Sequence, residues 1–388
     1  MILPVYTRPP MTLTHGDGCY LFDSHSRRYL DFISGIGVNA LGHNHPAIQH
    51  AVAEQAGRLI HSSNLFHNEY QQPLAIRLAK MAGLAHAFFT NSGAEAIEVA
   101  LKTAKASGRR AIVAVENGFH GRSTGALSVT SEPKYRAPFE PLLPGVTFVP
   151  ANDIGSLRAA VSERTAAIVV ETIQGEGGVR PMTEPYLREV RRIATASGAL
   201  WIADETQCGL GRTGRHFAYQ RFEALLPDIV TTAKPLAAGI PLGATLFSER
   251  AAGLIKLGEH GSTFGGGPLA CRVALAVLDA VEELLPNIRA TGAYLHERLA
   301  ELGYPVRGEG MMAGVQLNGP GGALVEEARE YGLLVNCTHE TVLRILPPYI
   351  ATKAHVDEAI EILRSVSEFG QRVASHAEDR PLVLGLRS

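Results

Sequence analysis

Asp204 and Lys234, 30 residues apart, carry the strongest chemical signal in the chain. Each follows a short apolar run, Leu-Trp-Ile-Ala before Asp204-Glu205 and Ile-Val-Thr-Thr-Ala before Lys234. That interval fits one strand-crossover-strand unit, which predicts an aspartate and a lysine at the ends of neighbouring strands. A lysine at a buried sheet edge loses hydration, its amine gives up its proton more readily, and it can attack a carbonyl, so Lys234 is a Schiff-base candidate. Taken alone it reads as a salt-bridge partner. Upstream, Asn91-Ser92-Gly93-Ala94-Glu95-Ala96 opens a helical run in which Ala96, Ala100 and Ala104 share a face with Ile97 and Leu101. Small residues there let backbone N–H groups close on an anion at the positive helix end, although by itself the motif is an ordinary N-cap. Phe119-His120-Gly121-Arg122 adds an aromatic face and a guanidinium. An amine for an aldehyde, a carboxylate for a ring nitrogen and N–H groups for a phosphate together point to pyridoxal 5′-phosphate.

Two other motifs carry less. Gly209-Leu-Gly-Arg-Thr-Gly214 matches G-x-G-x-x-G, but three residues separate it from the preceding strand and its acidic pair, and no helix opens at the glycines, so a glycine-rich loop is expected. An NAD-dependent dehydrogenase would rest on that loop alone, and Asp228 lies only 14 residues past Gly214. His43-Asn44-His45 lacks a third ligand nearby, so no metal is expected.

The elements that must position these residues alternate. Apolar runs at Ala111–Val115, Ala166–Val170, Leu200–Ala203, Ile229–Thr232 and Gly243–Phe247 read as buried strands. Between them lie amphipathic stretches such as Pro185–Ser197, with Leu187, Val190, Ile193 and Ala194 on one face and Gly198 as a stop. The pattern predicts an α/β fold, a mostly parallel central sheet with helices on both faces. In such sheets ligands gather beyond the carboxyl ends of the strands, where Glu171, Asp204, Glu205 and Lys234 fall. After residue 270 the pattern changes to two long helices, Pro268–Leu285 and Pro286–Leu302, and short strands near Met312–Leu317 and Leu343–Leu346, a smaller α+β domain. The expected division is 1–42 as an N-terminal segment packing with the small domain, 43–267 as the large domain, and 268–388 as the small domain. Residues Ala377 to Ser388 read as a weakly ordered tail.

Hydrophobic residues make up 46% of the 388 and charged residues 19%, enough for a sizeable core and against disorder. With 36 Lys+Arg against 38 Asp+Glu the net charge is −2, so no field invites nucleic acid or an anionic membrane. The four cysteines, Cys19, Cys208, Cys271 and Cys337, show no CxxC spacing, which fits a reduced cytoplasm. The opening Met-Ile-Leu-Pro-Val-Tyr lacks the basic region of a secretory signal, and no apolar run reaches the ~18 residues of a membrane span.

With these residues in place, the sequence resembles the class III, ornithine-type aminotransferases of fold type I, and among them the group acting on N-acetylornithine. The likeness runs nearly end to end through Tyr29-Leu-Asp-Phe32, Leu41-Gly-His-Asn-His-Pro46, Ser63-Asn-Leu-Phe66, Asn91–Ala96, Phe119–Arg122, Gln174-Gly-Glu-Gly-Gly178, Asp204-Glu-Thr-Gln207, Gly211-Arg-Thr-Gly214, Pro227-Asp228, Ala233-Lys234, His260-Gly-Ser-Thr-Phe-Gly-Gly266 and Arg344-Ile-Leu-Pro-Pro348. It implies transamination of N-acetyl-L-ornithine with 2-oxoglutarate by a homodimer with shared sites. Ornithine, succinylornithine, acetyl-lysine and 4-aminobutyrate are the alternative donors within the class. Lys234 would carry the cofactor's aldehyde and move a proton, and Asp204 would hold the pyridinium proton. Ser92, Gly93 and Ala94 would take the phosphate with Thr263 of the partner subunit, Phe119 would stack on the ring, and Gln207 would meet its phenolic oxygen. Arg122 and Ser262 would bind the acetylornithine, Arg344 an α-carboxylate, and Glu176 would switch Arg344 between substrates. The chain departs from the family at Thr206, where Val is usual, and at Gly267, where Asn is usual; Cys208, Pro235 and Ala237 are lesser departures.

Overall fold

Stretches of Val, Ile and Ala with no polar face can satisfy themselves only inside a sheet covered on both sides, and the computed structural model builds its centre from them. It describes residues 2–367 and Phe369; the expected tail from Ala377 to Ser388 lies outside these. In chain order, β1 (Leu13–Asp17), β2 (Tyr20–Asp23) and β3 (Arg28–Asp31) form an antiparallel meander. Then come β4 (His86–Thr90), β5 (Ala111–Val115), β6 (Val146–Val149), β7 (Thr165–Glu171), β8 (Ile173–Gln174), β9 (Arg180–Pro181), β10 (Leu200–Asp204), β11 (Ile229–Thr232) and β12 (Gly243–Phe247). The central sheet runs β4-β12-β11-β10-β7-β5-β6, and β12 alone runs opposite to the other six strands. Every residue of β7, β10, β11 and β12 is buried. The five strands expected from the sequence all form, and the sheet is mostly parallel as expected.

Helices α1 (Gly93–Ala106), α2 (Thr124–Val129) and α3 (Glu184–Ser197) flank this sheet. α3 buries Leu187, Val190, Ile193 and Ala194 and stops at Gly198, whose φ of 74° is left-handed and suits a residue without Cβ. The pair of helices expected on either side of Pro286 is instead one 33-residue helix, α4 (Pro268–Ala300), with the proline inside it. Pro286 removes one N–H donor, a cost of about 3 kcal/mol. Val281, Ile288, Leu295 and Leu299, all buried on one helical stripe that spans the proline, offset that cost.

The C-terminal strands are β13 (Val306–Glu309), β14 (Met312–Gln316), β15 (Leu333–Leu334), β16 (Asn336–Thr338) and β17 (Val342–Ile345). Four of them make an antiparallel sheet in the order β13-β14-β17-β16. β15 instead pairs parallel with β3, Leu333 opposite Leu30, which joins the N-terminal meander to the C-terminal part of the fold. Among the described residues no helix is long and apolar enough to cross a membrane.

Candidate active site

Parallel pairing puts Asp204 in register with Glu171 on β7 and with Thr231 on β11, so three polar side chains stand in one row where the strands end. The chain then turns across the sheet edge. A cavity of about 160 Å³ opens there, lined by Gly93, Ala94, Phe119, Asp204, Gln207 and Lys234, with His120, Gly121, Glu171, Glu176 and Thr206 completing its walls. Seven of the residues proposed from the sequence therefore meet in one place: these six and Glu176.

Asp204 is saturated with donors. Its Oδ2 lies 2.7 Å from His120 Nδ1, and its Oδ1 accepts from the Thr206 N–H and the Thr231 hydroxyl, each at 3.0 Å. Burial alone would neutralise it, but the His120 hydrogen bond and charge hold the Asp204 carboxyl below the usual range. Burial likewise opposes charge on His120, and the aspartate overrides it and pushes the imidazole up. The outcome is an anion fixed at the cavity wall. Lys234 is the opposite case: burial pushes its amine below the usual lysine range, with the Glu176 charge pulling the other way. No hydrogen bond or ion pair engages that amine among the described residues.

The start of α1 forms the third side. Ser92 Oγ accepts from the Glu95 N–H at 3.2 Å, and the Glu95 carboxylate accepts from the Asn91 N–H at 2.7 Å. The Ser92 hydroxyl is thus used in capping and does not line the cavity, while Gly93 and Ala94 do, with first-turn N–H groups that have no intrahelical partner. Gly93 sits so close to the loop after β10 that a Cβ there would meet Thr206 Cγ2 at 2.7 Å.

Two buried carboxyls behave alike but point apart. Glu171 Oε1 accepts from the Phe119 N–H at 2.8 Å and Oε2 from the Gly175 N–H at 2.9 Å, and burial pushes it up to about 7. Glu205, one residue past Asp204, turns away from the cavity. It accepts from Thr172 Oγ1 at 2.5 Å and from the N–H groups of Ala218 and Tyr219, and burial again lifts it to about 7. It is a loop anchor.

Arg344, on β17, is 1% exposed. Its Nη1 stands 2.5 Å from Glu176 Oε1 and donates to Gln207 Oε1 at 3.1 Å, while Nε donates to Asn336 Oδ1 at 3.2 Å. Although burial opposes it, the Arg344 charge, with that of Lys234, keeps Glu176 below the usual carboxylate range.

Three expected site residues lie elsewhere within the single chain. Arg122 is exposed, its guanidinium 3.6 Å from the ring centroid of Tyr135 and 5.6 Å from that of Phe119. Tyr135 walls a second cavity of about 220 Å³ that shares Phe119 and Glu176 with the first. Ser262 and Thr263 line a separate cavity of about 320 Å³ beside Asn91 and Glu95, and Ser262 Oγ accepts from the Gly265 N–H at 3.0 Å. Gly267 begins α4 with no side-chain cap.

Of the remaining motifs, the Gly209–Gly214 loop opens no helix and is packed shut: a Cβ on Gly211 would meet Val281 Cγ1 at 2.8 Å. His43 Nε2 pairs with Asp31 at 2.8 Å and His45 caps the helix Pro46–Ala56. Among the described residues no cluster could hold a metal ion. The roles of His120 and Glu171 were not foreseen. His120 was visible only as a member of a motif, and no spacing rule ties it to Asp204, 84 positions on.

The donor set fits pyridoxal 5′-phosphate. An unpartnered amine, an ionised carboxylate and open helix-start N–H groups face one cavity, and the Thr206 Oγ1 and His120 Nε2 atoms buried around it have no hydrogen-bond partner.

Comparison with known proteins agrees. The family model "Aminotransferase class-III" matches residues 3–366. An acetylornithine aminotransferase of Aquifex aeolicus is 46% identical over 369 residues, covering 93% of this chain and 98% of its own. A crystal structure of the ornithine aminotransferase from Toxoplasma gondii, with partial occupancy of PLP at its active site, superposes with a TM-score of 0.91 at 30% identity over 96% of this chain and 93% of that one. The N-acetylornithine aminotransferase from Stenotrophomonas maltophilia gives 0.82 at 32% identity over 95% and 98%.

Proposed function

The chain belongs to the class-III aminotransferases, enzymes that use pyridoxal 5′-phosphate, and on that premise we propose that it moves the δ-amino group of N-acetyl-L-ornithine to 2-oxoglutarate. The products are N-acetyl-L-glutamate 5-semialdehyde and L-glutamate, a step of arginine biosynthesis. The cofactor, when bound, supplies an aldehyde and a ring that draws electrons from the reacting carbon. Lys234 moves protons at the substrate carbon that loses or gains nitrogen, its Nζ inclined to the neutral form by burial. Asp204, kept ionised by His120, holds the protonated ring nitrogen. Gly93 and Ala94, on a helix start capped by Ser92, bind the phosphate with Thr263 of the partner subunit. Phe119 covers the ring and Gln207 meets its phenolic oxygen.

The observation that carries the substrate reading is the 2.5 Å pairing of Arg344 with Glu176 at the cavity wall. A transaminase of this kind accepts an ω-amine, whose α-carboxylate is remote from the reacting nitrogen, and glutamate, whose α-carboxylate is adjacent. One bare cation cannot suit both. Masked by Glu176, Arg344 leaves the apolar neck of acetylornithine unopposed; unmasked, it forks onto the α-carboxylate of glutamate. Arg122, with Ser262, reads the distal end. The same reading takes the molecule as a cytoplasmic homodimer and keeps the division at 1–42, 43–267 and 268–388. Ranking ω-amines against 2-oxoglutarate by kcat/KM tests the donor. N-acetylornithine should lead ornithine, succinylornithine, acetyl-lysine and 4-aminobutyrate; any of these in first place overturns it.

A further inference from the structure

We propose that strand β16 is the frame of the Glu176–Arg344 switch, with Thr338 and Asn336 as positioning residues that set how firmly the arginine is masked, and hence how the enzyme divides its rate between ω-amine and glutamate. The inference rests on the switch reading of Glu176 given above and assigns residues that reading does not contain. β16 pairs antiparallel with β17, Asn336 opposite Arg344. Strand periodicity sends residues 336 and 338 to the same face. From that face Asn336 Oδ1 accepts from Arg344 Nε at 3.2 Å, and the Thr338 hydroxyl donates to the Glu176 backbone carbonyl with Glu176 Oε2 at 3.3 Å. One three-residue strand therefore touches both halves of the ion pair.

The two halves are held unequally. Arg344 has Glu176, Gln207 and Asn336 around it and its side chain is 1% exposed, whereas the Glu176 side chain is 29% exposed. Glycines 175, 177 and 178 flank Glu176, so its backbone offers little stiffness of its own. Glu176 is the half that moves, and apart from Arg344 only the Thr338 hydroxyl lies within hydrogen-bond reach of its carboxylate among the described residues. A hydroxyl has one proton to give. On the carbonyl it fixes the loop; within reach of the carboxylate it stabilises the masking position. Losing it loosens the mask. Asn336 acts from the other side: as a neutral acceptor it orients Arg344 without cancelling its charge, and a carboxylate there would mask the arginine permanently.

Single-turnover absorbance changes of the holoenzyme, followed separately with N-acetylornithine and with glutamate, test this. Thr338→Val, which keeps the β-branched shape and removes the hydroxyl, should lower the acetylornithine-to-glutamate ratio of half-reaction kcat/KM by roughly 3- to 10-fold, the range one hydrogen bond supports, mainly through KM. Thr338→Ser should restore it. Asn336→Asp should move the ratio the opposite way by slowing the glutamate half, a reversal that general damage to the fold cannot produce. Glu176→Gln is run alongside. If Glu176→Gln shifts the ratio and the Thr338 and Asn336 variants do not, or if Thr338→Val slows both halves equally, the role of β16 is overturned and the switch stands. If Glu176→Gln itself leaves the ratio unchanged, the switch and this inference fall together.

Discussion

Glu171 performs two tasks with one carboxyl. Its two oxygens tie the Phe119 backbone to the Gly175 backbone, so the aromatic wall of the cavity and the loop carrying Glu176 are fastened to one residue at the end of β7. Burial also lifts it to about 7 from the carboxyl reference of 4.5, and the same holds for Glu205. A group that binds its proton more tightly folded than unfolded adds stability below its unfolded value and loses it as pH rises through its folded value. For these two carboxyls that window runs from about 4.5 to 7, and a shift of this size is worth up to about 3 kcal/mol each. The cofactor-free protein should therefore lose thermal stability from pH 5 to pH 8. Glu171→Gln removes one titration, so whatever its effect on Tm at a single pH, the fall between those values should shrink. An unchanged slope would mean that Glu171 is ionised throughout.

At the scale of elements, the approach of α1 to the loop after β10 decides how well a phosphate is held. The N–H groups of Gly93 and Ala94 face the cavity only because nothing stands between residue 93 and Thr206. Gly93→Ala places a Cβ 2.7 Å from Thr206 Cγ2, too close for either to stay, and the helix start must retreat. Cofactor retention, read from the dissociation constant of the holoenzyme, should weaken roughly 10-fold, about the effect of one charge-assisted hydrogen bond. Thr206→Ser removes that methyl and should recover part of the loss in the double variant; no recovery would put the clash elsewhere. The same elements explain what could be read in advance. Strands β7, β10 and β11 are continuous apolar runs because both their faces are buried, and Asp204 and Lys234 announce themselves as charges ending such runs. The interval between them matched one crossover unit. His120 and Glu171 were opaque because their partners are fixed by sheet register and by a loop returning over the sheet edge, both of which need the assembled fold. Pro286 misled for the opposite reason: a local rule against proline in helices is outweighed by a buried stripe that runs past it.

At the scale of the whole molecule, Ser262 and Thr263 remain to be placed, since they line a different cavity from Lys234. Their surroundings point outward. Asn64 donates to the carbonyls of Ser262 and Gly265, joining the 260s loop to the Ser63–Phe66 segment, and His61 packs on Phe264 with ring centroids 5.3 Å apart. Around that junction Leu65 is 88% exposed, Phe66 70%, Phe264 65% and Ile60 58%. Large apolar side chains gathered on one exposed surface are what the proposed homodimer would cover. On the proposed homodimer reading a second copy packs here, and each Thr263 serves the partner's cavity across the two-fold axis. The arrangement makes a quantitative prediction. Lys234→Ala chains lack the amine and Thr263→Asp chains would set a negative charge against the phosphate, so each homodimer should be inactive. Dissociated and reassociated in equal amounts, half of the dimers are mixed, and each mixed dimer has one site with Lys234 from one chain and Thr263 from the other. Activity should return to about a quarter of the wild-type value per chain, the share of intact sites under random two-fold pairing. If mixing restores nothing while both variants reassociate, Thr263 serves the cavity of its own chain, and the exposed face must have another purpose.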